Sequence, residues 1–224
     1  MAQTTLLKPN KPLISIVFDL DETLVYNRHT NNTEPNIRNN VQDALKYIRN
    51  IPEVEMIVWT GSNAETCEIV LDKLTNKEWM FDEIISRDDK WFNDAIYTKD
   101  LRLLGRDLNN VIFFDNDFRC VKLNKANSIV VECYNGEYNE HDNTIINMML
   151  LCEEIISGMK KHNIDALSML NNIKDKYCYT KIIVLSENIK QILYMYETIY
   201  HPPHGEFNML KSHEIINCRT HNYK

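Results

Sequence analysis

Asp19 and Asp21 stand one residue apart where the apolar run Ile16-Val17-Phe18 stops, and Thr23 follows at the same interval. A buried strand that ends in two carboxylates aims them at one point in space. That arrangement suits a divalent cation, a phosphoryl group, or both. An EF-hand calcium loop is a rival, but it requires Gly at position six and Glu at position twelve. Counted from Asp19, those places hold Leu24 and Thr30, and a strand precedes where a helix should. Acids that merely cap a turn are the blander alternative. Against it, two further strand ends carry polar groups. Thr60-Gly61-Ser62 follows one, Asp115-Asn116-Asp117 closes another, and Lys99 lies just upstream of the latter.

In open α/β sheets, ligands bind beyond the carboxyl ends of the strands. Two acidic strand ends there would hold magnesium, which takes one or two carboxylates together with water and phosphate oxygens. A hydroxyl at a helix N-terminus would bind phosphate oxygens with help from backbone amides. A lysine would neutralise the charge that phosphate and carboxylates share. Each part is common alone. The ordered set points to phosphoryl transfer through an aspartyl-phosphate.

Stepping these side chains into place requires a sheet. Residues 13–18, 56–59, 111–114 and 128–131 read as short buried strands. Residues 41–49 carry Val41, Ala44, Leu45 and Ile48 at helical spacing. Ser62 with Glu65 forms a capping box ahead of a helix whose apolar face is Cys67, Val70, Leu71 and Leu74. Residues 99–104 read as a helical turn and 144–161 as a long helix, whereas 26–40 is a polar, Asn-rich loop. Strands alternating with helices predict an α/β fold, a parallel sheet with helices on both faces. Past residue 173 the pattern is weaker. Residues 181–185 read as a strand, and Ser186 starts a helix on Ile189, Ile192, Leu193, Tyr196 and Ile199 that ends at His201-Pro202-Pro203-His204-Gly205. The two histidines there read as surface residues. The chain thus divides into a loose lead-in (1–12), a domain (13–172) with an aromatic-bearing insert (76–98), and a C-terminal extension (173–224).

The 224 residues, 44% hydrophobic and 25% charged, suffice for a globular domain with its own core. A net charge of −7 argues against nucleic-acid binding, because a duplex binder carries a basic face. The nearest basic run, Lys160-Lys161-His162, is too short to track phosphates. The six cysteines form no C-x-x-C pair, which fits reduced thiols in a cytosol or nucleus better than a zinc ribbon. The N-terminus lacks a signal peptide's basic start and apolar stretch. No apolar run approaches the ~20 residues of a membrane span.

The ordered set resembles the haloacid dehalogenase superfamily and, within it, the small C-terminal-domain phosphatases, which include the Dullard-type enzymes. Asp19-Leu20-Asp21-Glu22-Thr23-Leu24-Val25 is similar to their first motif residue for residue. Trp59-Thr60-Gly61-Ser62 resembles their second, Tyr97-Thr98-Lys99-Asp100-Leu101 the lysine motif, and Val111-Ile112-Phe113-Phe114-Asp115-Asn116 the last. Asp142-Asn143-Thr144 sits where the family has a polar turn before its final helix. The resemblance covers roughly residues 13–172. Two departures stand out. Asp117 replaces a serine, and Gly61 replaces a more usual alanine, a change expected to be benign.

The resemblance implies a Rossmann-like fold with a small insert instead of a large cap domain, since the gap from Thr23 to Val41 is too short for one. It implies a magnesium-dependent protein serine/threonine phosphatase acting on a phosphopeptide or phosphoprotein, such as a polymerase tail. Asp19 would be the nucleophile. Asp21 would be general acid, then base. Thr60 would bind the transferring phosphate, and Lys99 would steady it. Magnesium would rest on Asp19, Asp115, Asn116 and the backbone carbonyl of Asp21. Thr23 would support Asp21 and, with Gly61 and Ser62, face the substrate. Arg87 would help bind phosphopeptide, and Trp79, Phe81, Trp91, Phe92 and Tyr97 are aromatic candidates for a peptide pocket. The alternatives are a nucleic-acid 3′-phosphatase and a non-catalytic binding module.

Overall fold

The computed structural model describes residues 5–8, 10–28, 34–93, 97–186 and 189–196. Its central sheet runs β5-β4-β1-β6-β7-β9-β8. Here β1 is Ile14–Phe18, β4 Val54–Trp59, β5 Glu83–Ile85, β6 Val111–Asp115 and β7 Ser128–Val130. These five are mutually parallel. The C-terminal strands β8 (Cys178–Ser186) and β9 (Ile189–Tyr196) form an antiparallel hairpin, and β9 joins β7 in parallel. A small ribbon of β2 (Val25–Tyr26) and β3 (Asn36–Ile37) stands apart, inside the stretch expected to be loop.

The central strands are buried on both faces, as in a sheet covered on two sides. Alternate residues feed two cores. Ile14, Ile16, Phe18, Met56, Val58, Ile112 and Phe114 face the first. Four helices cover it: α1 (Val41–Arg49), α2 (Ala64–Thr75), α4 (Thr144–His162) and α5 (Ala166–Tyr177). Val17, Ile57, Trp59, Val111 and Phe113 face the second. Its cover is shorter: the 3-10 turn Leu101–Leu104, the one-turn helix α3 (Phe118–Val121) and the lead-in.

The described part of the lead-in is anchored and not loose. Leu7 belongs to the second core, and the Leu6 amide donates to Leu103 O at 2.7 Å. Below it, Arg106 grips Glu55 of β4 through Nη2–Oε1 at 2.6 Å and Nε–Oε2 at 2.8 Å, and donates to Lys8 O at 2.7 Å. Burial alone would raise the Glu55 carboxyl, but donors from Arg106, Ser15 and Asn10 hold it below the usual range. Its contribution is present above the unfolded carboxylate pKa and is lost as pH falls through the depressed folded value. Arg106→Ala leaves a buried carboxylate unpaired and is expected to cost about 3–5 kcal/mol. Urea unfolding at neutral pH measures it, and the loss relative to wild type should shrink on acidification.

Two local expectations are corrected. The cap of α2 is Asn63, whose side chain accepts from the Thr66 amide; the Ser62 hydroxyl is turned to Asp21 instead. Residues 189–196 form a strand and not a helix. Apolar spacing over a short run does not separate the two, and Ile189, Ile192, Tyr194 and Tyr196 carry side chain types that favour strands. The Pro-Pro turn and both histidines lie outside the described residues. Within the insert, Glu83–Ile85 adds an edge strand to the sheet. No second domain covers the carboxyl end of the sheet among the described residues.

Candidate active site

Register builds the site. Phe18 of β1 pairs with Val58 of β4 on one side and Phe114 of β6 on the other. The next residues along, Asp19, Trp59-Thr60 and Asp115, therefore emerge together at the carboxyl end of the sheet. The Asp19 amide donates to Phe114 O at 2.9 Å, and the chain then turns sharply. Glu22 adopts a left-handed φ of 65°, a conformation disfavoured for non-glycine residues and concentrated at functional turns. Amides of Leu24 and Val25 return to Leu20 O, and Tyr134 N holds Glu22 O at 2.7 Å.

Lys99 is the pivot. Its ammonium donates to Asp19 Oδ1 at 2.6 Å and to Asp115 Oδ2 at 2.7 Å, with the side chain 1% exposed. The Thr23 hydroxyl approaches Asp19 Oδ2 at 2.8 Å and Asn116 Oδ1 at 3.2 Å. One hydroxyl proton serves one acceptor, and the shorter contact takes it, so Asn116 Oδ1 is left poorly satisfied. Thr23 thus braces Asp19 from beneath and does not reach Asp21 as expected. Asp115 Oδ1 accepts the Asp117 amide at 2.7 Å.

Asp21 sits in different company. Thr60 Oγ1 and Ser62 Oγ both donate to its Oδ2, at 2.6 and 2.9 Å. Thr60, expected on the phosphate, thus has its hydroxyl on Asp21, while Oγ1 also accepts the Ser62 amide at 3.0 Å. Arg87 is at the rim, its Nε donating to Gly61 O at 2.6 Å.

Burial, then the Asp115 charge, pushes the Asp19 carboxyl up to about 8 against the pull of Lys99. Burial raises Asp115 too. Burial alone would lower Lys99, but the two carboxylates hold it well above its ordinary value. Two carboxylates meet one ammonium and Asp21 adds a third acid nearby, so the cluster lacks positive charge, and the Asn116 amide oxygen beside it shares its one hydroxyl donor with Asp19. A divalent cation fits that deficit. Among the described residues no three His, Cys, Asp or Glu side chains converge with ligand spacing. On Asp19, Asp115 and the Asn116 amide oxygen such a cation would have two carboxylates with neutral oxygens, a set of the kind magnesium takes.

The aromatic candidates separate. Phe81 is core, edge-on to Phe18. Trp79 lies at the opposite end of the sheet under Arg49, which pairs with Asp82 beside the start of β4. Neither can line a pocket at Asp19, because each follows the chain before β5 turns upward. Trp91, Phe92 and Tyr97 form an edge-to-face ladder that begins on Trp59, with ring centroids 5.4, 5.4 and 5.5 Å apart. Arg87 covers Phe92 and Arg119 covers Tyr97.

Arg38 carries no signal in a single sequence, yet its buried guanidinium ties the acidic turn to α4. It donates to Thr23 O at 3.1 Å, Glu132 O at 2.7 Å and Thr144 Oγ1 at 2.8 Å, and pairs with Asp142. Against its own burial, Asp142 is held below the usual carboxylate range by Arg38. The polar turn at Asp142-Asn143-Thr144 is the receiving end of that brace.

The family model of the NLI interacting factor-like phosphatases matches residues 14–164, and the chain belongs to that family. It is 24% identical over 151 residues to the mitochondrial import inner membrane translocase subunit TIM50 of Yarrowia lipolytica, covering 66% of this chain and 32% of that protein. It is 26% identical over 157 residues to the human carboxy-terminal domain RNA polymerase II polypeptide A small phosphatase 2, covering 63% and 57%. A solved structure of Fcp1, an essential RNA polymerase II CTD phosphatase, superposes with a TM-score of 0.44 at 16% identity, covering 73% of this chain and 54% of that one. The chain spans about a third of the first relative and little more than half of the other two. No helix among the described residues is long and apolar enough to cross a membrane.

Proposed function

We propose that this member of the NLI interacting factor-like phosphatase family is a magnesium-dependent phosphoprotein phosphatase that cleaves phosphoserine or phosphothreonine through an aspartyl-phosphate on Asp19. The observation that carries this reading is the contrast between two acids of one turn. Asp19 is buried and fixed by Lys99 and Thr23. Asp21 is half-buried and held by two hydroxyls on a single oxygen. Environments that differ so sharply support different jobs for neighbouring carboxylates, and a divalent cation on Asp19, beside Lys99, would favour the ionised form that attacks.

An Asp19 oxygen attacks phosphorus and the bond to the serine or threonine oxygen breaks. Asp21, with Oδ1 left open by donors that converge on Oδ2, gives that oxygen its proton. Water then attacks the aspartyl-phosphate, Asp21 takes the proton back, and inorganic phosphate and the Asp19 carboxylate are released. Lys99 steadies the charge that Asp19 and the phosphoryl oxygens share. Magnesium, when bound by Asp19, Asp115, Asn116 and the Asp21 carbonyl, would let a carboxylate approach an anionic phosphate. The open carboxyl end and the Trp91-Phe92-Tyr97 ladder favour a flexible peptide over an enclosed metabolite, and the polymerase tail named for two relatives is one such peptide.

One observation favours a second reading. A relative is named as a translocase subunit, which suits a peptide-binding module without turnover. Purified protein should release phosphate from a phosphoserine peptide in magnesium, stop in EDTA, and turn over a 3′-phosphorylated oligonucleotide far more slowly. Faster turnover of the oligonucleotide would transfer the assignment to end-processing. No magnesium-dependent release from either would support the binding module.

A further inference from the structure

The two departures from the family pattern, Gly61 and Asp117, meet at one side chain. A Cβ at Gly61 would lie 2.6 Å from Tyr97 Oη, closer than such contacts occur. The tyrosine hydroxyl fills the space that a side chain at position 61 would take, directly beside Thr60 and Ser62. Asp117 is not turned toward the acid cluster by its side chain. It caps α3 by accepting the Arg119 amide at 2.8 Å and grips the Arg119 guanidinium, whose Nε lies 3.0 and 2.9 Å from its two oxygens. That guanidinium stands over the Tyr97 ring, 5.1 Å from its centroid. Asp117, Arg119, Tyr97 and Gly61 thus form a continuous bridge between the loops that follow β6 and β4.

Tyr97 is held firmly. Its φ of 39° is left-handed, a strained conformation that persists only where surroundings enforce it. Its amide donates to Asn93 O at 2.7 Å, the neighbouring Thr98 hydroxyl to Arg119 O at 3.1 Å, and Lys99 N to Cys120 O at 3.2 Å. Phe92 packs edge-on against its ring. The hydroxyl so positioned has no hydrogen-bond partner among the described residues, although Asp19, Asp115 and Lys99 are all within electrostatic range of it. Strain and packing thus hold an unpartnered donor beside the proposed phosphoryl site, where a phosphate oxygen would take the place of solvent.

We propose that the Tyr97 hydroxyl donates a hydrogen bond to the phosphoryl group bound over Asp19, and that Asp117 acts as a positioning residue for it through Arg119, not as a metal ligand. The proposal rests on the phosphatase reading for its ligand, a phosphate oxygen, but not on turnover.

Inorganic phosphate, titrated into protein in magnesium by calorimetry, tests it alongside hydrolysis of an aryl phosphate. A hydrogen bond to a charged group contributes about 1.5–3 kcal/mol, so Tyr97→Phe should weaken phosphate roughly ten- to a hundredfold with the melting temperature unchanged. Gly61→Ala should do the same by displacing the hydroxyl, and the double variant should lose no more than either single one. Asp117→Asn should weaken phosphate while leaving the half-saturating magnesium concentration in place. Wild-type affinity in Tyr97→Phe, or additive losses in the double variant, would overturn the donor role. A shifted magnesium requirement with intact phosphate affinity in Asp117→Asn would overturn the positioning role. Phosphate binding that depends on Tyr97 in a protein without turnover would leave this inference standing and sink the phosphatase reading. A wild-type protein that binds no phosphate would overturn both.

Discussion

Asp19→Asn should lose aryl-phosphate hydrolysis by roughly a thousandfold or more in kcat, the scale on which removal of a covalent nucleophile is felt. The substitution is nearly isosteric. An amide oxygen can still accept from Thr23, and Lys99 keeps Asp115 at 2.7 Å, so the fold should persist and circular dichroism should match wild type. What disappears is the negative charge of the carboxylate, and with it the nucleophilicity toward phosphorus that the proposed mechanism needs. Loss at this position cannot be recovered by raising substrate, because the missing step is chemical. A variant that retained wild-type turnover would show that Asp19 is not the nucleophile, and the different surroundings of Asp19 and Asp21 would then need another explanation.

Lys99→Met is expected to be strongly destabilising. The ammonium is the one cation in contact with Asp19 and Asp115 among the described residues, and all three groups are buried. Breaking such an arrangement leaves uncompensated charge in the interior, at about 3–5 kcal/mol. Against a total of about 5–15 kcal/mol for an ordinary domain, that is a large share. Urea denaturation in EDTA measures the loss. Magnesium should restore more of the variant's stability than it adds to wild type, since the cation would supply the missing positive charge. Equal magnesium stabilisation of both proteins would mean that the metal does not share the carboxylates that Lys99 holds.

Much of this was legible from local pattern. The strand of residues 13–18 ended where the acids began, and α1 fell on residues 41–49 because Val41, Ala44, Leu45 and Ile48 share one face and bury it. The lysine, the threonine-bearing turn and the last acidic strand end could be grouped because all follow or flank strands of one sheet. Other features were not local. Residues 189–196 carried apolar residues at helical intervals but paired with β8, and no count of spacing reveals a hairpin partner. Ser62 had the neighbours of a helix cap, yet its hydroxyl was claimed by Asp21, a residue far upstream. The lead-in looked unstructured because its anchors, Leu103, Arg106 and Glu55, are distant in the chain.

By itself the sequence determined which chemical groups stand at the strand ends, and the periodicity of burial placed most of those strands and helices. Covalent order and local hydrophobic spacing are enough for that. Only the tertiary structure decided which of those groups touch one another. Thr23 supports Asp19 and not Asp21, Asp117 belongs to Arg119 and not to the acid cluster, and Gly61 leaves its space to Tyr97. Each of these is a contact between segments brought together by sheet register and helix packing. Hydrogen-bond partners are chosen by distance in space, and a single sequence records only distance along the chain.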